Sequence, residues 1–167
     1  MKYSVMIIDD HPLFSRGLAQ LIETQSSYKV NGMAKDRKEA LGMLEKVKPN
    51  LAIVDLNLGQ EDGLELIKDI SVINPSTKVL VLSMHDERFY AERALKAGAR
   101  GYIMKQEAES QVINAIQTVM EGKIYLSISG SDTHIYQVFI YDEEGNLEAS
   151  YGEFDTSEPL VVAKADQ

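Results

Sequence analysis

Leu51-Ala52-Ile53-Val54-Asp55-Leu56-Asn57-Leu58-Gly59-Gln60-Glu61-Asp62-Gly63 is the stretch on which the reading of this chain turns. Four apolar residues, two of them β-branched, lead straight into one aspartate, and an acidic, glycine-bearing loop comes next. An apolar run this short, bounded by turn residues, reads as a strand buried on both faces. In an open parallel sheet, ligands gather outside the carboxyl ends of the strands, which is where Asp55 falls. An aspartate after a strand also commonly caps the next helix, so this segment alone leaves both readings open.

The opening of the chain tips the balance. Tyr3-Ser-Val-Met-Ile-Ile8 reads as a second buried strand and ends in Asp9-Asp10-His11-Pro12. If the two strands are neighbours, Asp9, Asp10 and Asp55 converge. Three negative charges a few ångström apart repel by about 4 kcal/mol per pair at an effective dielectric near 20. Such a cluster must bind a cation, protonate or splay. Carboxylate oxygens with no soft ligand nearby suit Mg²⁺, which takes few protein ligands and keeps several waters. The backbone carbonyl of Asn57 is a candidate neutral ligand.

Outward from these strands, strand and helix patterns alternate. Pro12 to Glu23 has apolar residues at 13, 14, 18, 21 and 22, an amphipathic helical spacing with proline in its first turn. Tyr28 to Ala34 reads as a short strand, and Asp36-Arg-Lys-Glu39 has the form of a capping box opening a helix to Val47. A third helix is expected over Leu64–Ile73, a strand over Lys78–Ser83, and a helix from Glu87 to Ala97 closed by Gly98. Gly101–Met104 reads as the fifth strand and Ser110–Glu121 as the fifth helix.

Four motifs in this order resemble the response-regulator receiver domain, closest to the branch that usually carries a LuxR/NarL-type helix-turn-helix. They are Ile7-Ile8-Asp9-Asp10-His11-Pro12, Val54-Asp55-Leu56-Asn57-Leu58 with Asp62-Gly63, Leu82-Ser83, and Gly98-Ala-Arg-Gly-Tyr102-Ile-Met-Lys105. The resemblance covers about the first three quarters of the chain. It implies that Asp55 accepts a phosphoryl group from a sensor histidine kinase, with Mg²⁺ held by Asp10, Asp55 and the Asn57 carbonyl. Asp9 is then expected to act through metal-bound water. Ser83 is expected to bond the phosphoryl oxygen, Lys105 to pair with it, and Tyr102 to report the change at the surface. The expected fold is a flavodoxin-like, doubly wound five-stranded parallel sheet in the order 2-1-3-4-5, which sets strands one and three side by side.

Two departures from the family pattern stand out. Gly59-Gln60 replaces the usual proline-glycine pair, which predicts a looser loop beside the site, and Gln106 stands where other branches have proline after the lysine. His11 reads better as packing or capping than as a metal ligand, His85 as a solvated loop residue, and the histidines show no zinc spacing.

The larger departure begins after Ser127. Residues 1–129 carry 16 Lys+Arg against 17 Asp+Glu, whereas residues 130–167 carry one lysine against nine acids. Residues 1–127 are therefore taken as the receiver and 128–167 as a linker plus an acidic, β-hairpin-like appendage. In that appendage Ser129-Gly-Ser131 forms a joint. His134–Tyr141 and Leu147–Phe154 pair across Asp142-Glu-Glu-Gly145, and Pro159–Ala163 adds a third extended piece. An acidic tail without any Lys/Arg-rich helix disfavours direct DNA binding by this chain. With no cysteine and no apolar run near 18 residues, a cytoplasmic protein without membrane span or secretion signal is expected. A second copy of the chain is a further candidate partner.

Two other functional classes remain open at this point. A degenerate receiver would serve only as a docking surface, without phosphoryl chemistry. An aspartyl-phosphate hydrolase of the haloacid-dehalogenase type also places an aspartate after a buried strand, but its Asp-x-Asp motif is here Asp55-Leu-Asn57. A phosphoacceptor signalling domain, not an enzyme acting on a separate substrate, is the expected class.

Overall fold

The computed structural model describes residues 2–84, 88–126, 138–141, 147–151 and 160–163. Strands and helices alternate as β1 (Tyr3–Ile8), α1 (Pro12–Glu23), β2 (Tyr28–Ala34), α2 (Arg37–Val47) and β3 (Leu51–Asp55). A small hairpin comes next, β4 (Asn57–Leu58) and β5 (Glu61–Asp62), and then α3 (Gly63–Ile73) and β6 (Lys78–Ser83). The remainder is α4 (Arg88–Ala97), β7 (Gly101–Met104), a 3₁₀ turn over Lys105–Glu107, α5 (Ala108–Met120) and β8 (Tyr125–Leu126).

The main sheet is parallel throughout and runs β2-β1-β3-β6-β7-β8. Burial on both faces results from the alternation of strand side chains. Met6, Ile8, Ala52, Val54, Val79 and Val81 face α2, α3 and α4, where Leu44, Leu66, Ile67, Ile70 and Leu95 complete one core. Val5, Ile7, Leu51, Ile53, Leu80 and Leu82 face the other way, onto Leu18 and Ile22 of α1 and Val112 and Ile116 of α5. No helix among the described residues is long and apolar enough to cross a membrane.

The expected five strands become six. After α5 the chain reverses at Gly122, whose φ of 85° is in the left-handed region, and lays β8 along the open edge of β7. Tyr125 N–H donates to the Arg100 carbonyl at 3.1 Å and Leu126 is buried, so edge pairing with β7 and an apolar side chain hold this two-residue strand. The segment is too short to register as a strand in the sequence. The fifth helix begins at Ala108 instead of Ser110, and the expected start of the fourth at Glu87 lies outside the described residues.

The loop after Asp55 closes as a hairpin in which Asn57 pairs with Asp62 and Leu58 with Glu61. Gly59 stands in its two-residue turn at φ 64°, a conformation glycine adopts without steric penalty. The reversed glycine therefore ends in a paired turn beside the site. In the appendage, β9 (Val138–Tyr141) pairs antiparallel with β10 (Leu147–Tyr151) and parallel with β11 (Leu160–Ala163). The expected hairpin is thus a three-stranded mixed sheet, and the Ser129–Ser131 joint, the Asp142–Gly145 turn and His85 lie outside the described residues.

Gly63 fixes the distance between α3 and the end of β3. Its N–H donates to the Leu56 carbonyl at 3.1 Å. A Cβ built on it lies 2.7 Å from Leu56 Cα and 2.8 Å from the Asp55 carbonyl oxygen, both backbone atoms that cannot rotate away. Gly63→Ala is therefore expected to destabilise the fold by about 1–3 kcal/mol through overpacking, read as a lower midpoint in urea unfolding. An unchanged midpoint would show that the helix moves away without penalty.

Candidate functional site

Strand register assembles the site. Ile8 pairs with Val54, so the next residues, Asp9 and Asp55, leave the sheet together at its carboxyl edge. Asp55 pairs in turn with Leu82 on β6, one residue before Ser83, and Ser83 pairs with Met104, one residue before Lys105. Four adjacent strand ends thus deliver Asp9, Asp55, Ser83 and Lys105 to one edge. Asp55 and Asp9 are buried to 2% and 3% exposure, and Ser83 is fully buried.

Lys105 is the centre of the cluster. Its Nζ lies 3.1 Å from Asp55 Oδ2, to which it donates, and 2.8 Å from Asp9 Oδ2. It also lies 3.0 Å from His11 Nδ1 and 4.5 Å from the centre of the Phe14 ring, within cation–π range. Asp55 Oδ1 accepts the Asn57 N–H at 3.0 Å. Asp9 Oδ1 accepts the His11 N–H at 2.8 Å.

Burial raises the pKa of Asp55, and the negative charge of Asp9 adds to the rise; the Asn57 N–H and the Lys105 ammonium oppose it. Burial pulls Lys105 in the other direction, toward losing its proton, but its contacts with Asp9 and Asp55 outweigh that and hold its pKa above the ordinary lysine value. The ammonium form of Lys105 is therefore favoured, while burial disfavours the charged form of Asp55.

The donor set fits a divalent cation. Asp9, Asp10, His11 and Asp55 each offer one ligand atom, all within 4.8 Å of one another. Asp10 Oδ1 is a buried oxygen without a hydrogen-bond donor among the described residues, and Asp9 Oδ2 has only the Lys105 ammonium, at 2.8 Å. Buried oxygens of this kind ordinarily have a partner. A hard cation at this position supplies one.

The structure therefore brings together Asp9, Asp10, Asp55 and Lys105, and sets Asn57 beside Asp55 through its backbone. Tyr102 is fully buried on β7, within the core under α4. His11 differs from expectation. It occupies the N-cap position of α1 but its side chain makes no capping bond, and instead of packing it is 64% exposed with Nδ1 turned toward Asp9 and Asp10. Its place directly after Asp10 was the available signal.

Comparison with known proteins agrees with this geometry. Residues 5–117 match the response regulator receiver domain. The chain belongs to the response-regulator receiver family. This receiver is 31% identical over 164 residues to the transcriptional regulatory protein DegU of Brevibacillus brevis, which covers 96% of the chain and 70% of that relative. It is 34% identical over 125 residues to the oxygen regulatory protein NreC of Staphylococcus epidermidis, covering 74% of the chain and 57% of that relative. A solved LuxR-family two-component response regulator from Aurantimonas sp. SI85-9A1 superposes with a TM-score of 0.70 at 29% identity, over 74% of this chain and 89% of that one. Receivers bind Mg²⁺ at an acidic pocket, and the Asp/His cluster of this receiver is a group that could hold a metal ion.

The raised pKa of Asp55 fixes the sign of a stability effect. A carboxyl whose folded pKa exceeds its unfolded value destabilises the fold once pH rises above both, and the penalty vanishes below the unfolded value. In EDTA, Asp55→Asn is therefore expected to raise the urea midpoint at pH 7, with the gain shrinking as pH falls toward 4. A lowered midpoint at pH 7, or a gain independent of pH, would contradict the electrostatic reading.

Proposed function

We propose that this receiver takes a phosphoryl group onto Asp55 from the phosphohistidine of a sensor kinase and converts the added charge into a changed protein contact. The observation that carries this reading is the buried Asp55 carboxylate, 3.1 Å from the Lys105 ammonium and flanked by two further acids at the end of β1. An aspartate is a weak nucleophile, but alignment and charge compensation suffice for acyl phosphate formation. The bond from the donor's imidazole nitrogen to phosphorus breaks as a bond from an Asp55 oxygen to phosphorus forms, and the leaving imidazole takes up a proton.

Mg²⁺ bound by Asp10, Asp55 and the Asn57 carbonyl, with Asp9 acting through bound water, would supply positive charge against the phosphoryl oxygens. Lys105 already pairs with the oxygen that becomes esterified or its neighbour, so a small side-chain movement transfers its hydrogen bond to the phosphoryl group. Ser83, one residue beyond the register partner of Asp55 and on the strand between β3 and β7, supplies a hydroxyl donor. Its reorientation is read out through Tyr102, whose ring is buried in the core on β7, two strands from β3.

The output is a protein contact on the β6–β7 side of the molecule, used in transcriptional control as in the relatives whose names describe it. DNA binding is assigned to a partner or to a region other than this acidic chain, and a second copy of the receiver is the nearest candidate partner. Its chemistry is confined to gaining and losing its own phosphoryl group.

Incubation with a small-molecule phosphodonor and Mg²⁺, with intact mass measurement afterwards, is expected to show addition of one phosphoryl group to the native chain and none to Asp55→Asn. Absence of the adduct from the native chain would leave the docking-module reading in its place. Continuous turnover of the donor without an accumulating adduct would favour the hydrolase.

A further inference from the structure

The acidic appendage does not stand clear of the receiver. Cα atoms of β11 come within 8 Å of those of α4, and among the described elements α4 is the part of the receiver that the appendage meets most extensively. β11 is an edge strand of the order β10-β9-β11. Val138-Phe-Ile-Tyr141 and Leu160-Val-Val-Ala163 are uninterrupted apolar runs, the pattern of strands covered on both faces. Three strands of four or five residues bury little by themselves and need a further layer. Among the described elements, α4 supplies it.

Charge favours the same seat. Helix α4 carries Arg88, Arg93 and Lys96 against Glu92, and the groove between α3 and α4 sets Lys68, Arg93 and Lys96 against Glu65. Residues 130–167 carry one lysine against nine acids, and Asp155 and Glu158 come just before β11 in the sequence. Residues 1–129 are nearly balanced in charge, so the attraction is local to this helix rather than general to the receiver. Residues 127–137 connect β8 to β9, a tether that spans at most about 40 Å. It starts from β8, which pairs with β7, the strand that α4 packs against. A tether this short holds the appendage at an effective concentration of about millimolar, so weak surface pairs suffice for a docked state.

We propose that the acidic appendage is a latch docked in cis on α4, held there by the packing of β11 along the helix and by the attraction of its carboxylates for Arg93 and Lys96. The occupant of this face is then the chain's own appendage and not a separate protein. The contact itself needs no phosphoryl group. Only its consequence rests on the phosphoacceptor reading: the latch closes the helix above the β6–β7 output side, and a partner arriving there has to displace it. Such competition between a tethered segment and a free partner is a population shift, set by the difference between their affinities for one surface.

The test uses the full chain, whose lack of cysteine lets a single nitroxide be attached at Gln167→Cys, beyond β11 in the sequence. Amide signals of α4 are expected to lose intensity while the nitroxide is oxidised and to regain it on reduction. Those of α1, on the opposite face of the main sheet, are expected to keep theirs. Arg93→Glu combined with Lys96→Glu, both at exposed positions, is expected to restore most of the lost α4 intensity. Raising the salt from about 0.1 M to about 1 M, which shortens the screening length from about 10 Å to about 3 Å, is expected to do the same. Undisturbed α4 signals in the chain with native α4 would overturn the latch, and equal broadening after charge reversal and in high salt would overturn its electrostatic hold. Broadening that appears only when spin-labelled chain is mixed with isotopically enriched, unlabelled chain would place the appendage on a second copy and overturn docking in cis. None of these readouts involves Asp55, so they stand or fall separately from phosphoryl transfer.

Discussion

The Lys105 ammonium holds together two carboxylates that the sheet forces to the same edge. Parallel pairing of β1 with β3 leaves Asp9 and Asp55 side by side in a buried place, where their repulsion has no water to screen it. Lys105 reaches both because β7 is only two strands from β3, across β6. Every other feature of the site derives from that adjacency. The core on each face fixes the register, the register fixes the strand ends, and the strand ends fix the charges.

The site is consequently a place of stored electrostatic tension. Burial and the charge of Asp9 make Asp55 harder to ionise than a free aspartate, whereas contacts with Asp9 and Asp55 overcome burial to make Lys105 harder to neutralise than a free lysine. Adding a cation or a phosphoryl group rearranges a balance that is already close. A receiver needs that property, because a switch works by small differences between two packed arrangements rather than by one strong interaction. Gly63, pressed against the backbone of Asp55 and Leu56, keeps that backbone from relaxing away.

The carboxyl-end aspartates and the lysine were legible in the sequence because buried parallel strands give continuous apolar runs. The residue just past such a run has to emerge at the sheet's functional edge. Helix α2 was legible from Asp36, whose side chain accepts the Glu39 N–H at 2.8 Å. Other features depended on tertiary geometry. Tyr125–Leu126 becomes a strand only because β7 offers an open edge, and two residues carry no periodicity. The turn of His11 toward Asp9 and Asp10 is a rotamer choice at a helix start, which sequence spacing does not determine. The β-rich pattern after residue 130 was legible as strands, but the parallel pairing of β11 with β9 requires a crossover that no local signal announces.

Chemical mapping of the phosphoryl site tests the central claim most directly. Treating the phosphodonor-loaded chain with borodeuteride reduces an aspartyl phosphate to deuterated homoserine, and peptide fragmentation then locates it. Convergence of the β1, β3 and β7 ends on one acceptor predicts the label at residue 55 alone. Label at Asp9, at Asp10 or on the acidic appendage would contradict the account, as would a chain carrying no label.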